Sequence, residues 1–366
     1  MRRKVLKVHP EDNVIVALTD LEKGEQIEFE EQRYHLQDRV PQKHKFLTED
    51  LPEGGVVTMY GVPVGKTVSA VPKGGLISTA NTHHFSNDFS IKARKTDWQS
   101  PDISAFAGRT FNGYHRADGA VGTQNNWLVV PLVFCENRNI NMIKDALLKE
   151  LGYVTGRRSY GLNVRSLVES YRNGQPVEEI LQADILVDAA TQKENRVFPN
   201  VDGIKFLTHE GGCGGTRMDS ETLCALLAGY ITHPNVAGAT ILSLGCQNAQ
   251  PEILEREIEK RDPGFSKPVF LLEQQQSKSE QEFISEAVKK TFAGLIEANK
   301  VERQPAPLSK LIVGLECGGS DGFSGISANP AVGYASDLLV ALGGIAILSE
   351  FPELCGVEQG LSDRCV

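Results

Sequence analysis

Apolar and polar positions fall into two patterns along the chain. Up to about residue 85, short β-prone runs alternate with polar turns that end in glycine. The segments Asp20-Leu21-Glu22-Lys23-Gly24, Asp50-Leu51-Pro52-Glu53-Gly54 and Ala70-Val71-Pro72-Lys73-Gly74 repeat one device. A short run follows each, at 26–29, 56–59 and 76–78. Glycine at the end of each unit supplies the positive φ of a tight turn. Strands this short and this closely spaced predict a small β domain over 1–85. Residues 86–108 have no clear period and read as a linker.

From about residue 109 the period changes. A continuous apolar run at 127–134 and mainly apolar runs at 204–207, 240–244, 269–272, 311–315 and 345–348 read as strands. Helical patterns follow at 140–151, 219–231, 251–260, 280–299 and 330–342, with a charged helix-like stretch at about 162–172. Strand, loop and helix in succession predict right-handed crossovers and a parallel sheet. The fold class is therefore α/β: a small β domain, then a Rossmann-like parallel-sheet region. The division expected is a second domain over 109–255 and the start of a further Rossmann-like domain over 256–366. Asp219 is the expected N-cap of its helix, and Pro251 suits a first helical turn.

Five of the loops after apolar runs carry a cysteine: Cys135, Cys213, Cys246, Cys317 and Cys355. A parallel sheet gathers such loops at the carboxyl ends of its strands, where ligands bind. Cys224 sits inside a helical pattern and reads as core. Seven cysteines with no CxxC pair argue against a disulfide framework and a structural zinc knuckle. The segment Thr208-His209-Glu210-Gly211-Gly212-Cys213-Gly214-Gly215-Thr216 joins a strand to a helix, whose free N–H groups attract anions. It is not GxGxxG, which counts against a dinucleotide site. His209 reads equally as a general base, a metal ligand or a structural histidine. Residues 315–325 hold four glycines, two serines and Asp321, the composition of an exposed loop or a ligand cradle. Gln274, Gln275 and Gln276 could offer hydrogen bonds to hydroxyls.

Composition narrows the function class. The 366 residues are 40% apolar and 23% charged, as in an ordinary globular protein. A formal net charge of -9 excludes an extended nucleic-acid surface. Arg157-Arg158 reads as part of a solvated face. No apolar run reaches the roughly 18 residues that cross a bilayer, and no apolar core follows the basic N-terminus. The chain is therefore expected in the cytoplasm, with no membrane partner.

At these residues the chain resembles the altronate and galactarate dehydratase family. The resemblance is carried by residues 314–325, by Ser243-Leu244-Gly245-Cys246-Gln247-Asn248, and by His209 with Cys213. Arg116-Ala117-Asp118-Gly119, Val121-Gly122 and Asn329-Pro330 belong to it too, and it extends over 1–366. Residues 1–85 are similar to the SAF, or β-clip, domain of these enzymes, including Gly61-Val62-Pro63-Val64-Gly65. Three departures stand out. The family chain is longer, so this sequence is expected to stop inside a third domain. Ser78 and Ala80 stand before Asn81 where the family commonly has histidines, with His83 and His84 just after. Gln124 occupies a position where arginine is expected.

The resemblance implies dehydration of a sugar acid, altronate more than galactarate, with ferrous iron (Fe2+) and a homodimer. The proton beside the carboxylate is removed and the neighbouring hydroxyl lost. His209 is the expected acid/base. Cys213, Cys246 and Cys317 are the expected iron ligands. Asn248, Ser320, Asp321 and Ser324 are expected to hold substrate hydroxyls. The alternatives are a non-catalytic sugar-acid binding or assembly module and an NAD-dependent oxidoreductase.

Overall fold

The structure, a computed structural model, describes residues 3–86, 89–90, 98–153, 160–188, 196–316, 318–319, 321–350, 354 and 356–364. Two compact units are present: residues 110–306 form one, and residues 1–109 with 307–366 form the other.

The first unit opens with nine short strands: β1 (Val5–Leu6), β2 (Val14–Ala17), β3 (Gln26–Phe29), β4 (Gln32–His35), β5 (Lys45–Leu47), β6 (Val56–Met59), β7 (Val62–Thr67), β8 (Leu76–Ile77) and β9 (Thr82–His84). They make an antiparallel sheet β1-β2-β5-β8, a ribbon β3-β4 and a sheet β6-β7-β9. The glycine device recurs as expected. Gly24, Gly54 and Gly74 have φ of +82°, +74° and +81°. Each stands one residue before a closing bond, Glu25 N–H to Glu22, Gly55 N–H to Pro52 and Gly75 N–H to Pro72. Strand β2 is buried on both faces: Ile15 and Ala17 join a cluster with Leu21, Tyr34, Leu36 and Phe46, while Val14 and Val16 join Leu47, Val57, Met59 and Ile77.

The second unit begins with β10 (Thr110–His115), β11 (Val121–Gly122) and β12 (Asn126–Pro131). Helix α1 (Asn137–Glu150) follows, then the hairpin β13 (Tyr160–Leu162) and β14 (Leu186–Asp188), which encloses α2 (Val164–Arg172) and α3 (Val177–Ile180). Then come β15 (Gly203–Phe206), α4 (Arg217–Thr232), β16 (Val236–Ser243), α5 (Pro251–Arg261), β17 (Val269–Glu273), α6 (Glu280–Ala298) and β18 (Gln304–Pro307). Strands β15-β12-β16-β17 form the expected parallel sheet. Alternation along β12 fills both faces. Trp127 and Val129 pack with Ile140, Ile143 and Leu147 of α1 and with Phe283 and Leu295 of α6. Leu128 and Val130 pack with Cys224, Leu227 and Ile231 of α4 and with Leu254 of α5. Burying each such side chain contributes about 1.5–3 kcal/mol. The Trp127 ring lies where any side chain on Gly238 or Gly294 would sit, and its indole N–H donates to Thr240 at 3.0 Å.

Two expectations are corrected. The boundary at 255/256 falls inside α5, and β17 pairs with β16, so this sheet needs the chain to beyond 273. The helix expected from Asp219 starts earlier. Thr216 is its N-cap, and Asp219, at the third helical position, returns a bond to the Thr216 backbone. Pro251 does open α5, and Cys224 is buried.

The first unit is completed by β19 (Ile312–Leu315), α7 (Ala328–Ala341), β20 (Ile345–Leu348) and α8 (Glu358–Arg364). Strands β19 and β20 pair in parallel. The loop between β19 and α7 meets the β domain, where Ile326 joins the cluster of Val14, Leu47 and Met59.

Candidate functional site

The expected site residues are divided between the two units. His209, Cys213, Cys246 and Asn248 lie in the second. Asp321 and Ser324 lie in the first, while Cys317 and Ser320 fall outside the described residues.

In the second unit the loops after β12, β15 and β16 do converge at the carboxyl edge of the sheet. Backbone hydrogen bonds tie them together. The Phe134 N–H donates to Gly211 at 3.0 Å, and the Asn248 N–H donates to Gly212 at 2.9 Å. Gly212 has φ of +96°, and a Cβ there would stand 2.1 Å from the Leu132 carbonyl oxygen. Only glycine allows this approach.

His209 is held from both sides of its ring. The Gly211 N–H donates to Nδ1 at 3.1 Å, so Nε2 carries the hydrogen and donates to the Pro131 carbonyl at 2.8 Å. The Asn137 amide donates to the His209 carbonyl at 2.8 Å. This imidazole positions the loop, and acid/base work would require one of these bonds to break. Asn248 is likewise engaged, its amide donating to Gly215 at 3.4 Å. Cys135, Cys213 and Cys246 are exposed thiols. Among the described residues no three His, Cys, Asp or Glu side chains are grouped to hold a metal ion.

Beneath the loops lies Glu136, fully buried and absent from the sequence-based expectation. Burial pushes its carboxyl above the ordinary value, partly offset by a hydrogen bond from Asn139. Its other oxygen has no protein partner. Gln124, where arginine was expected, accepts a hydrogen bond from Asn126 at 2.9 Å.

The first unit presents a different site. A cavity of about 520 Å3 opens over the face of β5 and β6, with Val14, Val57, Met59, Val64 and Ile77 among its lining residues. Its rim carries Lys43, His44, Lys45, Tyr60, His83 and His84, with hydroxyls from Ser78, Thr79 and Thr82. Residues 321–325 reach this rim. Asp321 pairs with Lys43 at 3.3 Å, and the Lys43 ammonium lies 4.6 Å from the centre of the Phe323 ring. A hydrogen bond from the Phe323 N–H, helped by Lys43, holds the Asp321 carboxyl below its ordinary value. Gly325 passes so close to Tyr60 that a Cβ would stand 2.7 Å from the phenol oxygen. Ser324 donates to the Asp321 carbonyl at 2.7 Å and lines, with Asp321, a second cavity of about 1070 Å3 beside β19. The sequence signal for this basic rim was the run Lys43-His44-Lys45 at the start of a strand, together with His83-His84.

A β-clip domain with a basic pocket, together with an α/β unit whose loops gather at one sheet edge, defines the class. The comparisons give the family. The altronate/galactarate dehydratase SAF domain matches residues 3–84, the second domain of D-galactarate dehydratase/altronate hydrolase matches 113–299, and the C-terminal domain of D-galactarate/altronate dehydratase matches 308–366. The chain belongs to this family. It is 31% identical over 360 residues to the altronate dehydratase of Escherichia coli (strain K12), covering 98% of this chain and 62% of that protein. The altronate dehydratase of Bacillus subtilis (strain 168) is 30% identical, over 99% of this chain and 63% of its own length. The galactarate dehydratase (L-threo-forming) of E. coli is 29% identical, over 99% and 62%. The chain thus spans a little over three fifths of each of these relatives.

Proposed function

We propose that this protein is a sugar-acid dehydratase, a hydro-lyase acting on altronate, and that the pocket of the first unit receives the acid. One observation carries the reading: cationic and hydroxyl-bearing side chains ring a single cavity over an apolar floor. A sugar acid is an anion with many hydroxyls, and its carboxylate suits lysine and histidine donors. The apolar floor strengthens those contacts by displacing water. The size suits a small ligand, since such pockets run from about 300 to 1,000 Å3. Altronate is preferred because two of the relatives bear that name.

Lys43, steered by Asp321 and Phe323, offers a fixed positive charge for the carboxylate. Ser78, Thr79 and Thr82 offer hydrogen bonds to hydroxyls. His209 and Asn248 hold the loops of the other unit. The reaction removes the proton beside the carboxylate and expels the neighbouring hydroxyl, and the resulting enol becomes a 2-keto-3-deoxy acid. The acting form is proposed to be a cytoplasmic homodimer. No helix among the described residues is long and apolar enough to cross a membrane.

The test is incubation of the chain with altronate and with galactarate, without NAD, and chemical detection of a 2-keto-3-deoxy acid. Product from altronate is expected. Turnover that requires NAD, or binding of neither acid, overturns the reading.

A further inference from the structure

We infer that Lys45 is the base that takes the proton from the carbon beside the substrate carboxylate. The inference rests on the dehydratase reading and assigns a role within its pocket.

Three observations place Lys45 there. It sits on β5, an inner strand of the sheet β1-β2-β5-β8, paired with Val16 on one side and Ile77 on the other. Alternation sends Phe46 into one apolar cluster and Leu47 into the other, so Lys45 shares the Leu47 face, over Val57, Met59 and Ile77. The side chain also lines the cavity. Finally, its ammonium has no ion pair or hydrogen-bond partner among the described residues, whereas neighbouring Lys43 is tied to Asp321 and Phe323. An unpaired lysine over an apolar floor costs stability, and such a cost is typical of functional sites. Burial pushes its pKa below the ordinary lysine value. That shift favours the neutral amine, the form a base needs.

The step balances without an oxidant or reductant. The Nζ lone pair takes the hydrogen, and the C–H electron pair moves toward the carboxylate. It then forms the C=C bond as the adjacent C–O bond breaks. His83 or His84, both on the rim, gives a proton to the departing hydroxide, which leaves as water. The enol takes up a proton on carbon and gives up its O–H proton to become a ketone, and the Lys45 proton returns to solvent.

The experiment compares Lys45→Met, Lys45→Arg and Lys45→Ala in the full chain, with melting curves to confirm folding. Lys45→Met should lower kcat at least about 100-fold, with KM changed less than about threefold. Lys45→Arg should be equally impaired, because guanidinium keeps the charge but is too weak a base when charged. Added small primary amines should restore turnover to Lys45→Ala in proportion to their basicity. If Lys45 only holds the carboxylate, Lys45→Arg will stay active, Lys45→Met will raise KM instead, and amines will not rescue; that pattern overturns the inference. Wild-type turnover matched by Lys45→Met also overturns it while leaving the dehydratase reading intact. A wild-type chain that dehydrates neither acid overturns both.

Discussion

The carboxyl edge of the parallel sheet and the pocket of the β domain differ in how their polar groups are engaged. At the sheet edge, the chemically suggestive groups already have partners. Both nitrogens of His209 bond to backbone, and Asn248 bonds to the 212–215 loop by main chain and side chain. At the β-domain pocket, Lys45 is unpaired among the described residues, and it lines one cavity with Thr79, His83 and His84. Internal satisfaction marks a group that holds structure. A desolvated group without a partner marks one that awaits a ligand.

The comparison can be broken at either end. The largest effect is expected at Gly212, where positive φ and the Leu132 carbonyl leave no room for a side chain. Gly212→Ala should cost about 3 kcal/mol of stability in denaturant unfolding. A loss below about 1 kcal/mol would show that the loop network is soft and the edge free to rearrange. Next comes Lys43→Met, expected to raise KM for the sugar acid about tenfold, or about 1.4 kcal/mol, with kcat little changed. Asp321→Asn should do less, since the pair it breaks is solvent-exposed. An unchanged KM in Lys43→Met would remove the pocket from substrate binding.

Glu136 sharpens the comparison, since it is the buried exception at the sheet edge. Its carboxyl is raised by burial, so the folded chain keeps a proton that the unfolded chain releases. Stability therefore falls as pH climbs from the ordinary glutamate value through the raised one. Glu136→Gln should remove that slope and gain about 1 kcal/mol at neutral pH, read from unfolding midpoints across pH. A loss instead would mean that the charged form has a partner.

The smallest effects are expected at the exposed thiols. Cys213→Ser and Cys246→Ser should each change stability by less than about 0.5 kcal/mol and leave the iron content of the purified chain, whatever it is, unchanged by metal analysis. Loss of iron in either would restore the thiolate-ligand expectation. Peptide mapping after thiol labelling should find Cys135, Cys213 and Cys246 modified in the folded chain. Cys224, fully buried and with its thiol pushed up to about 11, should react only on unfolding.

Most of the architecture was legible in the one-dimensional pattern. The run at 127–134 carries enough consecutive apolar residues to demand burial on both faces, and helical repeats lie between it and the shorter runs at 204–207, 240–244 and 269–272. Local steric rules likewise made Gly24, Gly54 and Gly74 readable as turns. The domain boundary was misplaced because 251–273 looks the same whether it closes one sheet or opens another. Only pairing of β17 with β16 decides it. Function was legible as a family resemblance and as cysteine-bearing loops, yet the loops alone do not say which groups are free. That depends on hydrogen bonds between distant segments, such as the Pro131 carbonyl meeting His209.

The sequence by itself determined the elements, the turn repeat and the family, because these follow from local sterics, periodicity and long motifs. The tertiary structure decided which polar groups are satisfied and which are not. Lys45 and His83 are 38 positions apart and share a cavity only because antiparallel strands fold β5 and β9 toward one face. Burial and partnership belong to that arrangement in space, and through them the low-dielectric surroundings set whether a side chain holds the fold or does chemistry.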